Sequence, residues 1–81
     1  MFLHVKEATY LYNYVIRLKF NNGTEGDIDL KEELDGEVFE PLRDLNLFKD
    51  FRLDNDIDTI VWSNGADFAP EFLYDNMNII A

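Results

Sequence analysis

The chain contains no cysteine, and its 81 residues include only one histidine, His4, and one serine, Ser63. Without cysteine there is no disulfide, no thiolate nucleophile and no sulfur-bound metal. A Ser-His-acid triad would require these two lone residues to meet, and nothing in the sequence indicates that they do. The four glycines are scattered, so no glycine-rich loop is available to cradle phosphates. We therefore expect a protein that is not an enzyme and uses no cofactor.

Long apolar runs are also missing. No stretch approaches the roughly 20 residues that a membrane-spanning helix needs, and the first residues lack the order of basic, apolar and small residues typical of a signal peptide. The lack of cysteine fits a reducing compartment. Together these absences predict a cytoplasmic protein with no membrane association.

Basic residues are scarce. Seven Lys and Arg stand against 17 Asp and Glu, which gives a formal net charge of -10. Such a charge repels phosphates, so direct nucleic-acid binding is disfavoured. The charge is also uneven, because the chain after Leu53 has six acids and no base. This acidic C-terminal third is a candidate surface for a basic protein partner, and the alternative is that the acidity only maintains solubility.

What the chain does contain indicates a folded core. Hydrophobic residues make up 47% and aromatics 15% of the sequence, more than an acidic disordered segment would carry. A chain of this length has room for one core. We predict a single acidic α+β domain over residues 1–81, built as a small antiparallel β-meander of about five strands with two short helices.

The first hairpin is the sharpest prediction. Alternating apolar and polar residues over 14–20 predict a half-buried strand. Face parity with the next strand selects a three-residue loop, Asn21-Asn22-Gly23, with Gly23 in a left-handed conformation. The expected cross-strand pairs are Ile16 with Ile28, Arg17 with Asp27, Leu18 with Gly26, and Lys19 with Glu25. Apolar residues then line one face, and opposite charges meet on the other.

Patterns elsewhere predict the remaining elements more coarsely. The expected features are a bulge near Glu7 in a first strand, a turn at Tyr12-Asn13, one irregular helix between Val38 and Phe48 with Pro41 in its first turn, a second hairpin joining strands at Phe51–Leu53 and Ile60–Trp62, and a terminal helix from Pro70 to about Asn76.

One acidic segment resembles part of a metal-binding loop. Residues 54–58 read Asp-Asn-Asp-Ile-Asp, which matches the opening of a calcium loop. Thr59 stands where that loop needs glycine, however, and Gly65 stands where it needs a bidentate glutamate. We expect a solvated acidic turn and no metal site.

Three longer stretches, residues 20–30, 36–44 and 60–74, together with Phe48, resemble a small bacterial family catalogued as domain of unknown function 2442. The last stretch carries the pattern Trp-x-Asn-Gly-x-Asp-x-x-Pro-Glu-x-Leu-Tyr, from Trp62 to Tyr74. Ser63 stands where many relatives have proline. The resemblance covers nearly the whole chain and implies an antiparallel α+β fold without an established activity.

The resemblance also bears on partners. Relatives are often encoded beside another small protein in what looks like a toxin-antitoxin pair, which implies an antitoxin-like or accessory role with the product of an adjacent gene. Some longer relatives append a helix-turn-helix domain, which we do not expect here. A homodimer that pairs strand edges or docks the tail of residues 78–81 is compatible with that role.

The signature residues offer two interpretations. As a candidate interaction or ligand surface they are Trp62, Asn64, Asp67, Glu71 and Tyr74. In the structural interpretation, the Asp67 carboxylate accepts backbone N–H bonds where the terminal helix begins, and Trp62 and Tyr74 pack that helix on the sheet.

The alternative function is a small ligand- or metal-binding protein, or an enzyme, that uses acids near this signature. Its candidate residues are Asp54, Asp56, Asp58 and Asp67.

Overall fold

The computed structural model describes residues 2–80, which fold into six antiparallel strands, two α-helices and two 3-10 turns. The strands are β1 (Val5–Tyr12), β2 (Val15–Phe20), β3 (Glu25–Asp29), β4 (Arg52–Asp54), β5 (Thr59–Val61) and β6 (Asn78–Ile79); the helices are α1 (Leu45–Phe48) and α2 (Pro70–Asn76); the 3-10 turns are Lys31–Glu33 and Glu40–Arg43. The predicted α+β class is confirmed, with one strand more than expected in the described range.

The hairpin of β2 and β3 follows the predicted register at all four predicted pairs. Gly23 has a φ of 87°, the left-handed conformation that the three-residue loop requires. The loop is closed by the Phe20 N–H, which donates to the Thr24 carbonyl at 2.9 Å, and by the Gly23 N–H, which donates to the Phe20 carbonyl at 2.9 Å. Parity of the two faces was therefore enough to set the register.

β1 pairs with β2 and is irregular at both ends. Its register shifts between Val5 and Glu7, which confirms the predicted bulge, and again between Tyr10 and Tyr12. The turn that follows lies at residues 13–14, one position later than predicted, with Asn13 at a φ of 47°. Asparagine tolerates this left-handed conformation better than most residues, which explains the position of the turn.

The last strand, β6, was not predicted. It lies beside β3, with Ile79 opposite Gly26 and Asn78 opposite Asp27, so the sheet has the order β1-β2-β3-β6. The Ile80 N–H extends this pairing by donating to the Glu25 carbonyl at 2.9 Å. Residues 78–80 of the tail are thus paired within the chain, and Ala81 lies outside the described residues.

β4 and β5 form a separate two-stranded sheet, so the predicted second hairpin is confirmed but does not continue the meander. Its acidic turn is locally bonded, since the Asp56 N–H donates to Asp54 Oδ1 at 2.8 Å. The Asp58 carbonyl accepts the Val5 N–H at 3.0 Å, which links the turn to the start of β1.

The single helix predicted between Val38 and Phe48 is wrong. The segment forms the 3-10 turn Glu40–Arg43, with Pro41 in its first turn as predicted. It breaks at Asp44, where ψ is 115°, and the chain then forms α1. Asp44 breaks the helix because its carboxylate caps the next one, with Oδ1 accepting the Asn46 N–H at 2.9 Å.

The core lies between the larger sheet, α2, α1 and the smaller sheet. Its fully buried members with the largest side chains include Phe20, Phe48, Ile16, Leu18, Leu30, Leu34, Leu42, Ile60, Trp62 and Leu73. No helix within residues 2–80 is long and apolar enough to cross a membrane.

Replacing Gly26 tests the pairing of β6. A Cβ at Gly26 would lie 2.8 Å from the backbone oxygen of Asn78 and 2.7 Å from the sulfur of Met77, and the backbone oxygen cannot move without displacing β6. We expect Gly26→Ala to lower the free energy of unfolding by about 1–3 kcal/mol in urea titrations. The Ile80 amide should lose hydrogen-exchange protection while the Phe20 amide keeps it. Unchanged exchange at Ile80 would contradict the pairing.

Candidate functional site

Trp62 lies at the centre of the signature and is 1% exposed. Its indole N–H donates to the Phe48 carbonyl at 2.7 Å. Its ring contacts those of Phe48, Phe51 and Phe68, with centroids 5.7, 6.1 and 5.8 Å away. Trp62 therefore presents almost no side-chain surface to a partner and joins β5 to the end of α1.

Asn64 organises the turn after β5. Its Oδ1 accepts the Ala66 N–H at 3.1 Å, and its Nδ2 donates to the Val38 carbonyl at 2.8 Å. Gly65 supplies the left-handed residue of the turn, with a φ of 88°. Although Asn64 is exposed, both ends of its amide are engaged, and they hold residues 36–40 against this turn.

Tyr74 connects α2 to the first hairpin. Its hydroxyl accepts a hydrogen bond from Asn22 Nδ2 at 3.2 Å and lies 3.5 Å from Thr24 Oγ1. Its ring packs edge-on against Phe20, with centroids 5.1 Å apart. The hydrogen bonds from Thr24 and then Asn22 lower the pKa of the Tyr74 phenol, because they favour its ionised form.

Asp67 does not cap α2, contrary to the structural interpretation of the sequence. The residue before α2 is Ala69, which makes no side-chain cap, and Asp67 instead forms an isolated backbone bridge with Val61. Pro70 at the first helical position has no N–H that needs a partner, so the helix can begin without a cap. The Asp67 side chain is left exposed.

A model of the family described as Protein of unknown function (DUF2442) matches residues 5–78. The chain belongs to this family. The match covers nearly all of the sequence and confirms the resemblance drawn from residues 20–30, 36–44 and 60–74. Searches of the curated proteins and of the solved structures returned no match.

Acidic side chains of the DUF2442 signature and of the residue just after it follow one another at intervals of four. Glu71 lies in the first turn of α2, Asp75 lies four residues later in its last turn, and Asp67 lies four residues earlier. All three are exposed, and none forms an ion pair within residues 2–80. We call Asp67, Glu71 and Asp75 the acidic row. Sequence reasoning did not single out Asp75, although its spacing from Glu71 was visible.

A run of stacked phenyl rings lies beside the acidic row in sequence. Phe39 stacks on Phe68 with centroids 4.7 Å apart, and Phe68 stacks on Phe72 at 5.4 Å. Phe68 is buried, whereas Phe39 and Phe72 are half-buried. The stack fixes the segment before Glu40, the loop after β5 and the start of α2 relative to one another.

Of the five candidate residues, Trp62, Asn64 and Tyr74 are therefore bonded into the fold, whereas Asp67 and Glu71 are exposed carboxylates. The binding surface itself stays a prediction. Within residues 2–80, no three His, Asp or Glu side chains are placed to hold one metal ion. Two surface cavities of about 310 and 420 Å³ are lined by Tyr14, Lys31, Glu32, Leu34 and Arg43, and by Glu37, Glu40 and Pro41, respectively. Neither cavity includes a signature residue.

A comparison of variants at Asn64 and at its neighbour Ser63 tests the two hydrogen bonds of Asn64. We expect Asn64→Ala to lower the free energy of unfolding by about 1–2 kcal/mol, since both bonds are lost. Ser63→Ala is the matched control, because Ser63 is exposed and makes no side-chain hydrogen bond within the described part of the chain; its effect should stay within about 0.5 kcal/mol. Equal unfolding midpoints for the two variants would contradict the structural role of Asn64.

The ionisation of Tyr74 should report its bonds to the hairpin. Because the folded chain lowers the pKa of this phenol, its ionisation contributes stability that is fully present above the ordinary pKa of about 10 and is lost as the pH falls through the folded value. We expect tyrosinate absorbance to begin at a lower pH in the wild-type chain than in Tyr74→Phe. Tyr12→Phe, at an exposed position, should keep the absorbance that begins at the lower pH. If Tyr12→Phe loses that absorbance and Tyr74→Phe keeps it, the assignment to Tyr74 is wrong.

Proposed function

We propose that this chain is a non-enzymatic protein-interaction module of the cytoplasm whose acidic row binds a basic protein. In this proposal it is the antitoxin-like or accessory member of a two-gene pair, and the basic protein is the product of the adjacent gene. The acidic row carries the proposal, because it combines exposure, a regular spacing and the absence of any internal counter-charge among residues 2–80.

Asp75 of the acidic row is unfavourable for the isolated helix. Glu71 and Asp75 are one turn apart, where like charges cost about 0.2–0.5 kcal/mol. Asp75 also lies in the last turn, where the helix dipole favours a cation, and α2 has no basic residue there. The same dipole favours Glu71 in the first turn, but helix stability gives no reason for Asp75, and an incoming basic surface would relieve both of these costs.

All the ion pairs found within residues 2–80 lie in the first two thirds of the chain. Four of its basic residues lie within 4 Å of a carboxylate, in the pairs Arg17–Asp27, Lys19–Glu7 and Lys19–Glu25, Arg43–Asp35, and Arg52–Asp54. Every acid in these pairs precedes residue 55. Seven acids before that point also lack an ion pair within residues 2–80, but three further bases lie in the same part of the sequence, whereas no base follows Leu53. This difference supports the C-terminal third as the binding surface.

Rigidity also favours α2 as a recognition element. Tyr74 ties it to the first hairpin, the Phe68–Phe72 stack ties it to the loop after β5, and Trp62 anchors that loop region to α1. A binding surface that is already ordered loses less conformational entropy when a partner binds. The chain thus holds the acidic row in place before any complex forms.

The direct test is a binding measurement with the purified product of the adjacent gene. Neutralising the row with Asp67→Asn, Glu71→Gln and Asp75→Asn together should weaken the complex by about tenfold or more, measured by calorimetry at low salt. The matched control removes the same charge elsewhere, through Glu32→Gln, Glu33→Gln and Asp50→Asn, all at exposed positions.

Two outcomes would contradict the proposal. If no complex forms at low salt, the acidity serves only solubility. If both triple variants weaken binding equally, net charge matters and the acidic row is not the site.

A further inference from the structure

The cavity beside Tyr14 is formed by three segments that are far apart in the sequence. Its lining consists of Tyr14, Lys31, Glu32, Leu34 and Arg43, and its volume is about 310 Å³. Pockets that bind small molecules have volumes of about 300–1,000 Å³. The cavity therefore has room for a small ligand.

Hydrogen bonds join the three segments in pairs. The Leu30 N–H donates to the Tyr14 carbonyl at 2.9 Å, and the Tyr14 hydroxyl donates to the Arg43 carbonyl. Arg43 Nε donates to the Leu34 carbonyl at 2.8 Å, which links the third pair. Leu30 and Leu34 are both buried, so the segment between them is anchored in the core at each end. The cavity is thus already ordered, and a ligand would bind with little loss of conformational entropy.

Arg43 offers unused hydrogen-bond donors in a fixed orientation. A guanidinium has five N–H donors, of which one binds the Leu34 carbonyl and one binds the Asp35 carboxylate. The other three have no partner within residues 2–80, and the Arg43 side chain is 56% exposed. A guanidinium held in this way can bind a carboxylate through two parallel hydrogen bonds.

Lys31 adds a positive charge that has no counter-ion. Asp35 already pairs with Arg43, whereas no carboxylate of residues 2–80 lies within 4 Å of the Lys31 ammonium. This holds although acids outnumber bases by 17 to seven in the chain and Glu32 is the next residue. An anion in the cavity would supply the missing partner.

An apolar wall lies in the same cavity as the two bases. The Tyr14 ring packs edge-on against Phe48, with centroids 5.2 Å apart, and this contact fixes the orientation of the ring. Leu34 adds an aliphatic side chain to the lining. Small-molecule sites typically combine apolar walls with a few polar groups that orient the ligand.

We propose that this cavity binds a small organic carboxylate. Arg43 and Lys31 hold its carboxylate group, and its apolar part lies against the Tyr14 ring. A singly charged group fits better than a phosphate, because the chain carries a net charge of -10 and Glu32 also lines the cavity. The cavity shares no residue with the acidic row, so this site and the proposed function can each hold without the other.

Titration with benzoate, followed by amide resonances in NMR spectra, tests the ligand class. We expect saturable shifts at Lys31, Glu32 and Leu34. Acetate lacks the ring, benzyl alcohol lacks the charge and inorganic phosphate lacks the apolar part, so each should bind at least about tenfold more weakly than benzoate. Absence of a saturable shift with benzoate would refute the site, and equal binding of phosphate would refute the ligand class.

A pair of lysine variants tests the position of the site. Lys31→Gln should weaken benzoate binding by about tenfold, since a charge-assisted bond is lost. Lys6→Gln is the matched control, because Lys6 is also exposed and has no ion pair within residues 2–80. Equal benzoate affinities for the two variants would contradict the proposal.

Arg43→Lys separates geometry from charge at the same site. It keeps the positive charge but removes the planar fork, so benzoate binding should again weaken by about tenfold. Because the variant also loses the bond to the Leu34 carbonyl, its folding is checked by urea titration. Unchanged benzoate affinity in a folded Arg43→Lys chain would contradict the role of Arg43, and if this variant does not fold, the lysine pair decides.

Discussion

The indole of Trp62 has one polar atom inside the core, and that atom needs a hydrogen-bond partner. Its N–H meets the Phe48 carbonyl at 2.7 Å. Phe48 ends a four-residue helix whose last carbonyls have no partner within the helix, so one bond satisfies a group on each side. A helix this short is not stable by itself, and its position follows from the bond and from the rings around it.

Other contacts extend from this pair. The ring of Phe48 packs edge-on against Tyr14, with centroids 5.2 Å apart, and Tyr14 donates from its hydroxyl to the Arg43 carbonyl. The loop before α1 is thereby held to the turn between β1 and β2. On the other side Trp62 meets Phe68, which begins the stack that leads to α2. Two small sheets and two short helices are thus joined through one buried indole.

Sequence reasoning predicted the structure correctly where neighbouring residues alone determine it. Alternation over residues 14–20 and a glycine at position 23 determine the hairpin register, because only one loop length keeps the apolar face continuous. It failed where a contact between residues far apart in the sequence determined the structure. β6 has only two residues and no alternation to detect; it forms because Gly26 leaves room for the chain beside β3. Spacing alone could not reveal that contact.

Within the signature, too, the sequence predicted some properties of single residues and missed others. Its length and residue types identified a family, yet the pattern did not distinguish residues that maintain the fold from residues that face solvent. Asp67 was expected to cap a helix because acids often do, but Pro70 makes the cap unnecessary. Trp62 was a candidate contact, yet its side chain is buried in the core. Burial depends on the whole chain, so short motifs cannot predict it.

The acidic row lies in the part of the chain that has no base, and salt should therefore weaken the contact proposed for it. Attraction between the acidic row and a basic protein is screened as ionic strength rises, because the Debye length shrinks to about 8 Å at physiological salt. Low salt thus favours the complex with the basic partner, which the uneven charge of this small chain directs to its C-terminal third.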